Sequence, residues 1–176
     1  MQKKLTSIFS ALLLVVMMSC GDDDKKSGNS FTYDGKTYEV TQGHIDFDSD
    51  NDGESIKYYH SIVLLSKGFD YIGEDIEGSG NVFVMEVRSA GSTIADGTYE
   101  FVDVDPAIGD MTETFIYLNY NTELEEGGPD VKTFEDCSAG TLILDKNEGK
   151  FSIDINATVN GKELTGHYTG ALSEWE

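Results

Sequence analysis

The chain has 176 residues, of which 33 are acidic and 12 basic, for a formal net charge of −21. Its 39% hydrophobic content is too high for a disordered protein, two cysteines are too few for a disulfide scaffold, and no apolar run is long enough to span a bilayer as a helix. So acidic a surface repels phosphate backbones, which excludes nucleic acid as a partner.

The first residues read as an address. Lys3 and Lys4 form a positive n-region, and the apolar stretch from Ile8 to Met18 has the length of a signal-peptide h-region. It ends Met17-Met18-Ser19-Cys20-Gly21, with a small residue directly before a cysteine. This arrangement resembles a bacterial lipobox. The resemblance implies that the Cys20 sulfur takes a diacylglycerol, that residues 1–19 are removed, and that the new amino terminus is acylated. The chemistry needs a thiol because the thiolate is the strong nucleophile. The bland alternative, a cysteine buried in a core helix, fits poorly with the abrupt polarity that follows. Two acyl chains already hold a protein stably on a bilayer, so a triacylated Cys20 implies a lipid-anchored chain that does not span.

Residues 21–30, with Asp22-Asp23-Asp24-Lys25-Lys26 among Gly, Ser and Asn, contain no apolar side chain and read as a disordered tether. Segment 20–30 is thus the lipidated cysteine and its acidic leash. An acidic triplet close behind the cysteine resembles the export signal of Bacteroidota-type lipoproteins, which implies the outer membrane, facing the cell exterior. Read as a solvated linker without an address, the same triplet leaves the periplasmic face as the alternative.

Residues 31–176 form one domain without an internal linker, repeat or helical periodicity. Short runs rich in Val, Ile, Tyr, Phe and Thr, separated by Gly/Asp/Asn clusters, predict a mainly β fold. The strands are expected at 31–33, 36–47, 55–65, 81–88, 98–104, 113–120, 139–145, 150–159 and 162–172. Nine such strands predict a single antiparallel β-sandwich, with a closed β-barrel as the alternative. Asp34-Gly35 predicts a tight turn that pairs Phe31 with Tyr38. Within 36–47, Tyr38 and Val40 occupy even positions while Ile45 and Phe47 occupy odd ones, which predicts a bulge near Gly43. Ile62–Leu65, Val82–Val84 and Phe115–Leu118 are apolar on both parities, so both faces of those strands should be covered, one of them by the tether or by a partner. In 151–160 apolar and polar residues alternate without a fault, and Asn160-Gly161 is a strong type I′ turn signal. A two-residue turn there pairs Ala157 with Leu164, Ile155 with Gly166, Ile153 with Tyr168 and Phe151 with Gly170, and it places His167 opposite Asp154 on the wet face.

The candidate chemistry is sparse. Asp48, Asp50, Asp52 and Gly53 match the D-x-D-x-D-G start of a calcium loop, in which alternate carboxylates wrap a hard cation. Position twelve, however, is Tyr59 where a bidentate Glu belongs, and strands flank the segment in place of helices. Asp48, Asp50 and Asp52 are therefore either a weak calcium site or a solvated acidic turn; no other metal or cofactor is implied. His44, His60 and His167 occur in no nucleophile or metal-ligand motif, and structural roles suffice for them. Cys137 reads as a half-buried hydrophobe. The connections 67–80 and 121–132 are long, and long loops carry binding function.

Together the lipobox, the acidic tether and the pattern Gly140-x-Leu142…Asn160-Gly161-Lys162…Gly166-x-Tyr168 resemble the small β-sandwich lipoproteins of Bacteroidota. That resemblance transfers no catalytic residue. The expectation is a non-enzymatic surface lipoprotein that binds a ligand or a partner protein. A structural or accessory subunit of an envelope or fimbrial assembly is the alternative, and a hydrolase a distant third.

Overall fold

A computed structural model describes residues 28–51, 56–72 and 75–174. Cys20, Asp52, Gly53 and the signal and tether residues before Gly28 lie outside these. The described residues form thirteen strands and no α-helix: β1 (Ser30–Tyr33), β2 (Lys36–Glu39), β3 (Gln42–Asn51), β4 (Ile56–Leu65), β5 (Phe69–Ile72), β6 (Asp75–Ser89), β7 (Gly97–Phe101), β8 (Asp110–Asn121), β9 (Lys132–Phe134), β10 (Cys137–Asn147), β11 (Lys150–Val159), β12 (Lys162–Gly170) and β13 (Leu172–Glu174).

The expectation of a mainly β domain holds; its finer architecture differs. Eleven strands lie on one hydrogen-bonded path, β13-β3-β4-β6-β8-β7-β10-β11-β12-β1-β2, with β5 added to β6 and β9 to β8. The result is one curled open sheet, a half-barrel, in place of nine strands in two separate sheets. Pairing is antiparallel except at β7–β8 and β13–β3, which run parallel.

Local turn chemistry fixes the hairpins. Asp34-Gly35, Glu148-Gly149 and Asn160-Gly161 all hold positive φ at both positions, between 49° and 79°, as a two-residue type I′ turn demands. The β1–β2 register pairs Phe31 with Tyr38. The β11–β12 register pairs Ala157 with Leu164, Ile155 with Gly166, Ile153 with Tyr168 and Phe151 with Gly170, as the alternation predicts. Glycine at 166 is required by a close approach, since a methyl group there would lie 2.4 Å from the Phe31 ring. The ring from β1 thus covers bare backbone on β12.

The predicted bulge near Gly43 is replaced by a larger event. The run 36–47 is two strands, and the chain changes partners at Val40-Thr41: β2 pairs with β1 at one end of the path, while β3 pairs with β4 near the other. Each part keeps its own inward parity, which resolves the conflict between Tyr38/Val40 and Ile45/Phe47. The run 162–172 divides in the same way at Ala171, where the chain leaves β12 and enters β13 against β3.

The curled sheet encloses one large core. Phe31 stacks on Phe83 across the interior with ring centroids 4.5 Å apart, among Ile62, Leu64, Met85, Ile116, Leu142, Ile153 and Leu164, all fully buried. A smaller apolar cluster lies on the outer face, where Val63, Leu65 and Val82 meet Phe69, with Ile76, Val84, Tyr117 and Tyr120 partly buried against them. The covering element expected over the doubly apolar strands is thus, in the described residues, the chain's own β5–β6 hairpin, formed within the long 67–80 connection. On the wet face of β11–β12, His167 Nδ1 lies 2.8 Å from Asp154 Oδ1, the predicted cross-strand pair.

Truncating Ile153 to Ala is expected to cost about 2–5 kcal/mol, since it opens a cavity in the closed core. His167→Ala removes only a partly exposed pair and should cost about 1 kcal/mol or less. Urea unfolding of the two variants checks the register, because equal losses would contradict it.

Candidate functional site at the mouth of the curled sheet

The β3–β4 hairpin runs past the neighbouring strands, and its inward side forms one wall of a cavity of ≈ 310 Å³ at the open end of the sheet. Openings of this kind at a barrel mouth are common ligand sites. Ile45, Ile94 and Phe151 form an apolar floor continuous with the core. Asp46, Glu174, Lys146, Ser92 and Thr93 line the same cavity and supply two carboxylates, one ammonium and two hydroxyls. Phe47, 41% exposed, projects at the rim. Its ring stacks on Tyr58 at 5.9 Å and packs against His60 at 5.3 Å. Lys146 Nζ lies 5.1 Å from the centre of the Phe151 ring, a cation–π contact that keeps the ammonium over the floor.

His60 is the unusual member. It is 3% exposed, on the inward parity of β4 and paired with Phe47. Nε2 lies 3.3 Å from the Gly91 carbonyl; a carbonyl can only accept, so the ring proton belongs on Nε2. Nδ1 is then a buried acceptor, and it has no hydrogen-bond partner among the described residues. Buried polar atoms are paired in all but a few cases, and an exception calls for an explanation. Ser92 and Thr93 line the same cavity, and neither hydroxyl is hydrogen-bonded to the ring.

Burial holds the His60 imidazole below its ordinary value of 6.5, with the Gly91 carbonyl and the charge of Asp46 acting in the opposite direction. Burial depresses His44 as well; it lies near the start of β3, at a position paired with Val63 on one side and Ser173 on the other.

The structure places the other singled-out residues elsewhere. Asp48 and Asp50 alternate on the exposed side of β3, on the opposite parity from Phe47, with Asp50 directly across from Lys57. One Asp48 oxygen already accepts the Ser49 N–H at 2.6 Å. Among the described residues, no group of three or more His, Cys, Asp or Glu side chains is placed to hold a metal ion. The third carboxylate of the acidic turn, Asp52, lies outside them. Cys137 is half-buried against the core, and desolvation pushes its thiol up from the ordinary value, so it is a poor nucleophile.

Sequence reasoning did not find Lys146, Phe151, Ser92, Thr93, Ile94 or Glu174 as members of one site. They come from β10, β11, the β6–β7 connection and β13, and only closure of the sheet assembles them. Two local signals were present: a single phenylalanine in the acidic run 46–54, and a histidine on the core parity of an otherwise apolar strand. No protein-family model, no curated protein and no solved structure matches this chain.

Two outcomes are expected. Both depressed histidines titrate near pH 6.5 in the unfolded chain and lower in the native one, so the unfolded state binds more protons below that pH. The stability they contribute is fully present above about pH 6.5 and is lost as pH falls toward the native values. The thermal midpoint should hold steady from about pH 8 to 7 and fall between about pH 6.5 and 5, less steeply in His60→Gln. At the acidic turn, the solvated reading of Asp48 and Asp50 predicts that EDTA leaves the midpoint unchanged. A rise with ~5 mM calcium that magnesium fails to reproduce would instead assign Asp48, Asp50 and Asp52 to a cation.

Proposed function

We propose that this chain is a non-enzymatic lipoprotein, anchored in the outer membrane through Cys20 and facing the cell exterior, that binds a small hydroxyl-rich ligand such as a saccharide unit at the mouth of its curled sheet. The observation that carries the ligand class is the cavity itself. An apolar floor suits the C–H face of a ring, and the exposed Phe47 offers a surface on which such a face can stack. Carboxylates, an ammonium and hydroxyls at the rim match alternating donors and acceptors. The bare Nδ1 of His60 seeks one hydroxyl donor, which a ligand would supply.

The lipobox Met17–Gly21 and the acidic residues behind it support the anchorage and the address. They are also the residues that carry the likeness to Bacteroidota lipoproteins. The rival reading, an assembly subunit that pairs edge to edge, draws less support. The two ends of the strand path are β2, four residues that begin at Lys36 and end at Glu39, and β13, three residues; short charged end strands resist strand addition. A hydrolase would need a nucleophile against His60, and no hydroxyl or thiol among the described residues is hydrogen-bonded to its ring.

Saturation-transfer NMR with simple mono- and disaccharides tests the site. Contacts from the sugar C–H protons are expected with the wild-type chain, with affinity at least tenfold weaker in Phe47→Ala and in Lys146→Met. Binding that survives both substitutions would move the ligand elsewhere. Intact-mass analysis of membrane-extracted protein tests the anchor: the chain should begin at Cys20 and carry acyl mass, and Cys20→Ala should lose that mass.

A further inference from the structure

The outer apolar cluster does not fill its own space. Between the outer face of β4, β6 and β8 and the β5–β6 hairpin remains an open cleft of ≈ 460 Å³, and none of the described side chains lining it carries a charge. Leu65 and Val82 form its back wall, Phe69 and Ile76 one side. On the other side Tyr117 and Tyr120 pack with their rings tilted at 60°, centroids 5.6 Å apart. Thr122, the remaining polar side chain there, is already engaged with both backbone groups of Gly78. On a chain of net charge −21, an apolar cleft of this kind marks a place that something apolar occupies.

The point where the tether joins the domain lies beside this cleft. The Asn29 carbonyl accepts the Val40 N–H at 2.9 Å, and the next residue, Thr41, donates its N–H to the Leu65 carbonyl at 2.9 Å. The Gln42 side chain then donates to the Phe69 carbonyl at 2.6 Å. Three consecutive residues, Val40 to Gln42, therefore connect the tether's entry to the back and side of the cleft. Seven residues lie between Cys20 and Gly28, eight Cα–Cα steps with a contour of at most about 29 Å, enough to reach from Gly28 to Leu65 and Phe69. A lipobox cysteine carries three acyl chains, and two suffice for stable anchorage, so one is available.

We propose that the outer-face cleft holds one acyl chain of this protein's own anchor, drawing the domain down against the membrane while the other two chains stay in the bilayer. The proposal rests on lipidation of Cys20. It is independent of the ligand assigned to the mouth, which lies at a different set of residues.

Metabolic labelling of the full-length chain with a diazirine-bearing palmitate analogue tests it, with irradiation after purification and peptide mapping. The expected result is label on Cys20 and cross-links into 63–84 or 115–122 of the same chain. Val84→Asn, at a partly buried position of the cleft, should retain the Cys20 label and circular dichroism of the wild type while those cross-links fall at least fivefold. Label on Cys20 without cross-links into these segments overturns the proposal. Absence of label from Cys20 overturns the lipidation reading and this proposal with it. In a mixture of isotopically light and heavy chains, cross-links that join light to heavy would assign the cleft to a second copy and reject the chain's own anchor.

Discussion

A sheet curled into a half-barrel keeps its interior dry only if its two ends are held together, and here the backbone itself crosses the seam twice. Val40-Thr41 carries the chain from β2 at one end to β3 near the other, and Ala171 carries it from β12 into β13, which pairs with β3. Where these segments meet, Gly43 has no room for a side chain: a methyl group would lie 2.6 Å from Leu172 and 2.8 Å from Leu64. The approach is that close because β13 must lie flat against β3 for closure. The aromatic stack of Phe31 on Phe83 joins opposite walls behind the seam. Without the two crossings, the residues of β1 and β12 would face water in place of β6.

The mouth cavity is a by-product of the same closure. β3 enters at the seam and continues past β13, whose pairing stops at Ile45. From Asp46 onward the β3–β4 hairpin stands beyond the strand that borders it, β13. Phe47 and His60 are paired at this boundary, one half in water and the other in the core. Glu174 ends β13 at the same level, which explains why a residue so near the carboxyl end of the described chain shares a site with residues 45–47. The arrangement gathers one cation, Lys146, among carboxylates on a molecule with few cations, so the local charge balance at the mouth differs from the strongly acidic surface. With screening lengths of about 8 Å at physiological salt, that local balance governs what enters.

The parts of the fold legible in sequence were those encoded by neighbours along the chain. The alternation of 151–160 and the Asn160-Gly161 turn determine a complete register, because turn geometry and hydrophobic parity are two independent signals with one solution. Asp34-Gly35 works in the same way. Glu148-Gly149 makes the same kind of turn but was not read, since glutamate is an uncommon residue in the left-handed conformation that its φ of 51° requires. The partner changes at Val40-Thr41 and Ala171 left only a faint trace, the parity conflict in 36–47, for which a local bulge was the economical explanation. β5 escaped notice because its partner, Asp75–Gly78, lies in the same long connection, and β9 because Lys132-Thr133-Phe134 is only three residues long and pairs with the distant β8. The candidate site was legible in single residues and illegible as a set, since β3, β4, the β6–β7 connection, β10, β11 and β13 all contribute to it and nothing local ties Lys146 or Phe151 to His60.

The carboxamide of Asn29 takes on a mechanical meaning in a chain held by its amino end. It donates to the Thr169 carbonyl at 3.1 Å and accepts the Thr169 N–H at 2.8 Å, so a side chain continues the β1–β12 ladder one step beyond the strand. Under the proposed anchorage, any pull on the domain from outside reaches the fold at this residue, at the open end of an antiparallel pair. Tension there parts hydrogen bonds one after another, starting with Asn29 and then Ser30 opposite His167, and does not shear a whole strand at once. β1 is also the strand whose Phe31 ring covers Gly166 and spans the core to Phe83. The molecule thus places its point of attachment next to the contact that keeps its walls together, with the two side-chain bonds of one asparagine and its carbonyl's bond to the Val40 N–H at the entry to the fold.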